Sequence, residues 1–243
     1  MLRSLVGSEM CIRDRNTCNE FITAIAKLKQ AGCTSFVIDL RGNTGGYMDA
    51  AINMINEFMP EGRLIVYTEG KSFPRSDVYA NGTGTCKDAP IVVLTDEISA
   101  SASEIFSGAI QDNDRGTIIG RRTYGKGLVQ TQMSLSDGSE MRLTIARYYT
   151  PSGRCIQKKY EMGNTDAYDQ DIYNRYMHGE FDSADSIKMD DSLKYQTVGG
   201  RTVYGGGGIM PDIFIPRDTS GVTSYYSNVV NSGVLYLLSL IHI

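Results

Sequence analysis

Residues 91–110 read IVVLTDEISASASEIFSGAI and contain a sharp change of hydrophobic periodicity. The first five residues are apolar or β-branched, which predicts a buried strand. Beyond the serines, the apolar residues recur at the spacing of one helix face, which predicts a helix over 102–111; they are Ile105, Phe106, Ala109 and Ile110. A strand followed directly by a helix is typical of α/β layered domains.

The sequence upstream continues this alternation. An amphipathic stripe over 17–32 predicts a helix, and the run SFVIDL that follows predicts another buried strand. The glycine-rich stretch RGNTGG predicts a tight turn after that strand. A second helical stripe over 48–58 is stopped by Pro60.

The rest of the chain is richer in strand patterns. The runs RLIVYTE, TIIG, LVQTQMSL and EMRLTIARYYT predict strands, whereas the polar stretch 70–88 predicts a loop. Residues 155–204 are rich in tyrosine and aspartate and weakly periodic, which predicts an inserted surface excursion before GGGGIMPDIFIP returns to a strand pattern. We therefore predict an α/β domain with an inserted tyrosine-rich excursion.

Composition excludes several classes of protein. The net charge is −4, with no basic block, so we expect no nucleic-acid partner. No apolar run approaches the roughly 18 residues of a membrane helix. The five cysteines contain no CxxC pair and there is no HExxH motif, so we expect neither a disulfide scaffold nor a metal site. A histidine-based mechanism would have to use His178 or His242, the two histidines of the chain.

The glycine turn Gly42-Asn43-Thr44-Gly45-Gly46 has two interpretations. It lacks GxGxxG and GxxxxGK[ST], so nucleotide binding is weakly supported and no cofactor is predicted. Backbone N–H groups at a helix start can stabilise an anion, including a transient oxyanion. The alternative is a tight turn that needs glycine for a positive φ.

The stretch SASASE, residues 99–104, also has two interpretations. Ser101 and Glu104 form the S-x-x-E pattern of a capping box, in which Ser101 caps the helix and Glu104 reaches back. The small size of Ala100 and Ala102 is not explained by capping, and it would leave Ser101 accessible to an extended substrate. In that case the Ala102 N–H is an expected oxyanion donor, while Ser99 and Ser103 are expected to form hydrogen bonds at the helix start.

A serine nucleophile requires a base, and lysine is the candidate where histidine is scarce. Lys126 lies between two glycines just before an apolar run, and we expect it to be desolvated enough to lose its proton. Gln130 is four residues further on, on the same face of an extended strand, where its amide could orient the amine. The alternative is an ordinary lysine at the entry to a hairpin.

The stretch SASASEIFSGAIQDNDRGTIIGRRTYGKGLVQ, with FVIDLRGNTGG upstream and LSDGSEMRLTIARYYTPSGRCIQ downstream, resembles the carboxyl-terminal processing peptidases, or tail-specific proteases. The resemblance implies a crotonase/ClpP-like core of ββα units over residues 16–235. It also implies a Ser–Lys dyad of Ser101 and Lys126, oriented by Gln130, with an oxyanion hole at Ala102 and at Gly45 or Gly46. Asp112 stands where some members carry an aspartate that affects activity; a turn carboxylate without a direct role is the alternative.

The same resemblance implies the partners and the compartment. Expected substrates are polypeptides with apolar carboxyl termini, and the expected location is the cell envelope or periplasm, with membrane attachment only through an anchor that this chain lacks. Members carry a PDZ domain before the core, which we expect to be absent here, as in an N-terminally truncated fragment. Residues 1–15 and 236–243 are expected to be non-native ends. The sequence does not decide whether the chain forms homo-oligomers.

Two other functions remain open at this stage. An acyl-CoA enzyme on the same fold would hold a thioester oxyanion with two N–H groups and need no serine. A fragment without its PDZ domain could instead bind peptides without cleaving them. The Ser–Lys–Gln set speaks against the acyl-CoA enzyme, and the serine endopeptidase is the leading hypothesis.

Overall fold

The computed structural model describes residues 17–160, 165–221 and 223–232. The predicted non-native ends, 1–15 and 236–243, and His242 lie outside these residues. In chain order the elements are α1 (Thr17–Gln30), β1 (Phe36–Asp39), α2 (Met48–Asn56), β2 (Leu64–Gly70), β3 (Phe73–Tyr79), β4 (Ile91–Thr95), α3 (Ala102–Asp112), β5 (Thr117–Gly120), β6 (Leu128–Ser134), β7 (Glu140–Tyr149), α4 (Thr165–Met177), β8 (Lys194–Gln196), β9 (Thr202–Tyr204), β10 (Ile213–Phe214) and α5 (Ser224–Asn231).

A four-stranded parallel sheet has the order β1-β4-β5-β10. Its two central strands are β4 and β5, and β4 alternates fully and partly buried residues along its length. Strands and helices alternate in the first half of the chain, and the structure has the α/β architecture that the sequence predicts.

Helices α1, α2 and α3 supply the apolar side chains that cover this sheet. Phe58, just after α2, is fully buried and meets the rings of Phe21, Phe36 and Phe106 edge to face at centroid distances of 5.9–6.4 Å. Such aromatic contacts tie the three helices to β1 and form the centre of the hydrophobic core.

A second, antiparallel sheet has the order β3-β2-β7-β6. Strand β3 lies within residues 70–88, so the prediction of a continuous loop there is wrong. Strand β3 lies at one edge of this sheet, and it includes Pro74, Arg75 and Asp77. An edge tolerates such residues because one of its sides pairs with no strand among the described residues. Strands β6 and β7 form a hairpin around the SDGS turn, residues 136–139, and β6 is the opposite edge strand.

Residues 155–204 contain α4, the short 3-10 turns Ala184–Ser186 and Asp191–Leu193, and the β8–β9 hairpin. The prediction of a surface excursion is wrong for several of its charged side chains, because Lys158, Arg175 and Glu180 are buried. It holds for His178, which is exposed. Neither a crotonase/ClpP-like core nor an insertion relative to other proteins is established by these elements, and both stay predictions.

Candidate active site

Three loops meet at the end of the parallel sheet that carries the carboxyl ends of its strands. They follow the carboxyl ends of β1, β4 and β5 and comprise residues 40–47, 96–101 and 121–127, respectively. Because these strands are parallel neighbours, the loops that leave them lie side by side, as at many ligand sites of α/β sheets. This topology brings together the glycine turn, the serine-rich stretch and Lys126, which are far apart in sequence.

The three serines of residues 99–104 have different surroundings. Ser99 and Ser103 are fully buried. The Ser99 hydroxyl donates to the Leu40 carbonyl at 2.7 Å, and the Ser103 hydroxyl to the Asn43 carbonyl at 3.1 Å. Both therefore fasten the serine turn to the glycine turn, in agreement with the expected role in hydrogen bonding. Ser101 is only partly buried and faces a cavity.

Ser101 has an unusual backbone conformation. Its φ of 57° and ψ of −116° lie in a region that residues other than glycine rarely occupy. Such a conformation costs about 1–3 kcal/mol and persists only where the surrounding structure holds it. A strained turn between a strand and a helix is also how the nucleophile of α/β-hydrolases is exposed, although GxSxG is absent here.

The two alanines beside Ser101 are buried, with 6% and 1% of their surface exposed. Their expected role in clearing space for a substrate backbone is therefore wrong. Gly45 packs against this turn with a φ of +80°, and a Cβ added to it would lie 2.6 Å from the Ala102 nitrogen and closer still to the Ala100 carbonyl oxygen. The lack of a side chain at Gly45 allows the glycine turn and the serine turn to approach closely.

The backbone N–H groups near Ser101 differ in availability. The Gly45 N–H donates to the Asn43 side-chain oxygen at 2.9 Å, so it is already engaged. The N–H groups of Gly46 and Ala102 make no hydrogen bond within the described part of the chain. Ala102 is the first residue of α3, and the N–H groups of a first helical turn have no partner within the helix. Of the three predicted oxyanion donors, Ala102 and Gly46 are the available pair.

Glu104 connects the serine turn to the lysine loop. Its fully buried carboxylate accepts hydrogen bonds from the N–H groups of Ser101, Gly125 and Lys126 at 2.7–2.8 Å and from the Thr123 hydroxyl at 2.5 Å. Burial raises the pKa of the Glu104 carboxyl, and these hydrogen bonds act in the opposite direction. The sequence indicated the capping contact with Ser101 but not the three contacts with residues 123–126.

Ser101, Lys126 and Gln130 line one cavity of about 690 Å³, together with Gly45 and Gly46. No hydrogen bond joins the side chains of Ser101, Lys126 and Gln130 to one another within the described residues. Lys126 is exposed, so the expectation that burial in the protein desolvates its amine is wrong for this state of the chain. A β-bulge between Val129 and Gln130 interrupts the strand just before Gln130, which is also exposed.

The cavity also includes residues that the sequence did not single out. Arg142 and Tyr148 of β7 also line it. Asp112, in contrast, does not line the cavity: it is fully buried and pairs with Arg154 at 2.6 Å. This agrees with a structural carboxylate. Arg142 reaches the cavity through the β6–β7 hairpin, in which it pairs with Gln132.

Metal and membrane features are not found among the described residues. No group of three or more His, Cys, Asp and Glu side chains there could hold a metal ion. Within the same ranges, none of the helices is long and apolar enough to cross a membrane. The described cysteines, Cys18, Cys33, Cys86 and Cys155, are unpaired.

The close contact at Gly45 leads to a first testable prediction. Gly45→Ala should destabilise the fold by about 1–3 kcal/mol more than Gly42→Ala, because its methyl group would overlap the serine turn. Gly42 is the matched control, since it has a φ of +68° in the same turn and no atom within 4 Å of an added Cβ. Urea unfolding measures the difference, and equal losses from both variants would contradict the close approach.

Comparison with known proteins finds a family and several relatives that this chain resembles. The model of a family described as peptidase family S41 matches residues 8–166, a range that includes all of the site residues above. A carboxyl-terminal-processing protease from Synechocystis sp. is 41% identical over 143 residues, which are 59% of this chain and 33% of that protein. A chloroplastic C-terminal processing peptidase from Tetradesmus obliquus is 40% identical over 136 residues, 56% of this chain and 29% of that protein.

Solved structures agree with the sequence comparison. A photosystem II D1 C-terminal processing protease superposes with a TM-score of 0.59 and 28% identity, covering 84% of this chain and 40% of the other. Mature CPAF superposes with a TM-score of 0.50 at 12% identity over 88% of this chain and 45% of the other, which shows a shared fold alone. The chain spans about a third of the length of the curated relatives that it matches.

Proposed function

Because this chain belongs to peptidase family S41, we propose that it contains the catalytic core of a serine endopeptidase that cleaves polypeptides near their carboxyl termini. The observation that carries the proposal is the cavity shared by Ser101 and Lys126. The cavity lies where a helix begins, beside two unengaged backbone N–H groups.

In the proposed mechanism, the Ser101 oxygen attacks the scissile carbonyl and its proton passes to the neutral amine of Lys126. The N–H groups of Ala102 and Gly46 stabilise the resulting oxyanion. The proton then passes from Lys126 to the leaving amine, and an acyl-enzyme remains on Ser101. Water, deprotonated by Lys126, attacks this ester and releases the new carboxyl terminus.

The exposure of Lys126 in the free chain gives the substrate a part in activation. A lysine accepts a proton only in its neutral form, and water around an exposed amine favours the charged form. We propose that a polypeptide bound in the cavity covers Lys126, displaces this water and brings the Gln130 amide into contact with the amine. The absence of such contacts in the free chain is consistent with geometry that tightens only in the substrate complex.

The dependence on a neutral lysine predicts how the rate changes with pH. The value of kcat/KM for a fluorogenic peptide with an apolar carboxyl terminus should rise toward alkaline pH, because a lysine takes up the serine proton only in its neutral form. A metal chelator should leave the rate unchanged. A rate that peaks below neutral pH, or that disappears with the chelator, would contradict a lysine base without metal.

Substrate class and compartment are proposals of the same kind. We propose unfolded or tagged envelope proteins with apolar carboxyl termini as substrates, and the cell envelope or periplasm as the location. The acyl-CoA enzyme and the peptide-binding module of the sequence analysis are the alternatives. Calorimetric binding of coenzyme A would support the first, and failure of a phosphonate to label Ser101 at alkaline pH would support the second.

A further inference from the structure

We propose that residues 157–160 and 165–181, here called the clamp segment, position the general base by holding the loop that carries Lys126. This inference rests on the proposed function, and it assigns a role to a polar segment that has no part in the chemistry itself. The segment is described in two parts, 157–160 and 165–181. The loop in question, residues 121–127, is called the lysine loop below.

Arg175 of α4 makes the most extensive contact with the lysine loop. Its guanidinium donates to the carbonyl oxygens of Arg122 at 2.7 Å and Thr123 at 3.0 Å. Only 5% of Arg175 is exposed. A buried guanidinium requires acceptors for its fixed fork of N–H groups, and these acceptors are backbone atoms of the lysine loop.

Glu180 adds ion pairs between the clamp segment and the lysine loop. It accepts from the Arg175 Nε at 2.9 Å and forms a two-pronged pair with Arg122 at 2.7 and 2.8 Å. One carboxylate therefore joins an arginine of the clamp segment to an arginine of the lysine loop. Paired planar groups of this kind fix orientation as well as distance.

A second contact lies nearer to Lys126. The Lys158 amine lies 4.2 Å from the ring centroids of both Tyr124 and Tyr168, and the Lys158 N–H donates to the Gly125 carbonyl at 2.9 Å. The Gly127 N–H donates to the Gln157 side chain at 2.9 Å. The clamp segment thus contacts the backbone on both sides of Lys126.

The lysine loop is held from two directions. Glu104 binds the N–H groups of Gly125 and Lys126. The clamp segment binds three carbonyl oxygens of the loop and the N–H group of Gly127. The Lys126 side chain is left facing the cavity. Because a displacement of about 1 Å in a reacting group can cost about a hundredfold in rate, this double attachment has a direct consequence for catalysis.

The test compares Arg175→Met and Glu180→Gln with Arg115→Met in the full chain. Arg115 is a matched control because its guanidinium also donates to backbone carbonyls, those of Phe58, Cys86 and Ala89, which lie away from the cavity. Glu180→Gln keeps the shape of the side chain and serves if Arg175→Met does not fold. The readouts are the rate of Ser101 sulfonylation by a sulfonyl fluoride, its pH profile, and hydrogen exchange at the amides of Gly125 and Lys126.

The clamp predicts a sulfonylation rate about tenfold to a hundredfold lower in the Arg175 and Glu180 variants, a changed pH profile, and faster exchange at both amides. Arg115→Met should lower the melting temperature without these changes. Clamp variants that fold and keep wild-type rates and exchange would overturn the proposal, as would equal losses in Arg115→Met. If the unsubstituted chain neither hydrolyses peptides nor reacts with the reagent, the proposed function fails, and hydrogen exchange alone still decides whether the clamp holds the lysine loop.

Discussion

Ser101→Ala should lower peptide hydrolysis by about 10⁴-fold or more, and Lys126→Ala should lower it by about 10²–10⁴-fold. The first variant removes the atom that forms the acyl-enzyme, and the second removes the group that takes its proton. Because Ser101 and Lys126 act in the same step, the double variant should be little worse than Ser101→Ala. The measurement is kcat/KM for an unfolded protein or peptide with an apolar carboxyl terminus.

The controls for this prediction come from similar residues outside the cavity. Ser107, on the helix that begins just after Ser101, donates to helix carbonyls, and Lys71 is exposed in the turn between β2 and β3. Ser107→Ala and Lys71→Ala should keep hydrolysis within about twofold of the unsubstituted chain, because neither residue touches the cavity. Near-normal turnover by Lys126→Ala would show that the dyad is wrongly assigned.

Glu104→Ala should combine a large loss of stability with a loss of activity. It leaves four donors without their acceptor, two of them in buried and two in partly buried hydrogen bonds, at a cost of about 1–3 kcal/mol for each buried donor that finds no replacement. That is a large share of the roughly 5–15 kcal/mol by which a domain is stable. Glu104→Gln keeps one acceptor oxygen but turns an amide donor toward the N–H groups of Ser101 and Lys126, so we expect about a hundredfold lower activity in a chain that still folds.

Glu57→Gln is the control for the glutamate substitution. Glu57 is also buried and accepts from the N–H and hydroxyl of Thr85, but it lies away from the cavity. Urea unfolding should show a loss of about 1 kcal/mol, with hydrolysis unchanged. If Glu104→Gln hydrolysed peptide at the rate of the unsubstituted chain, the contact between the serine turn and the lysine loop would not govern catalysis.

The parts of the fold that the sequence predicted are those whose signal is local. Strands β1, β4 and β5 are short apolar runs, and α3 has an unbroken apolar face, so their periodicity was sufficient. Strand β3 was missed because an edge strand pairs through its backbone and leaves its side chains to solvent, which gives FPRSDVY no apolar alternation.

The sequence predicts which residues form the candidate site, but it does not predict their backbone conformation or exposure. The identities of Ser101, Lys126 and Gln130 follow from the scarcity of histidine and from the family resemblance, and the shared cavity is consistent with that choice. The positive φ of Ser101 and the exposure of Lys126 depend on how distant loops pack, which residue type does not reveal. The sequence predicts a surface excursion for the clamp segment because its contacts with the lysine loop are polar and leave no hydrophobic period in the sequence.

Mapping the covalent adduct of a fluorophosphonate tests the Ser–Lys assignment most directly. The full chain and its Lys126→Ala variant are treated with the reagent at about pH 9, and the modified peptide is identified by mass spectrometry. We predict one adduct, on Ser101, formed at least about a hundredfold more slowly in Lys126→Ala. An adduct on another residue, or an adduct on Ser101 that forms equally fast without Lys126, would contradict a nucleophile activated by this lysine.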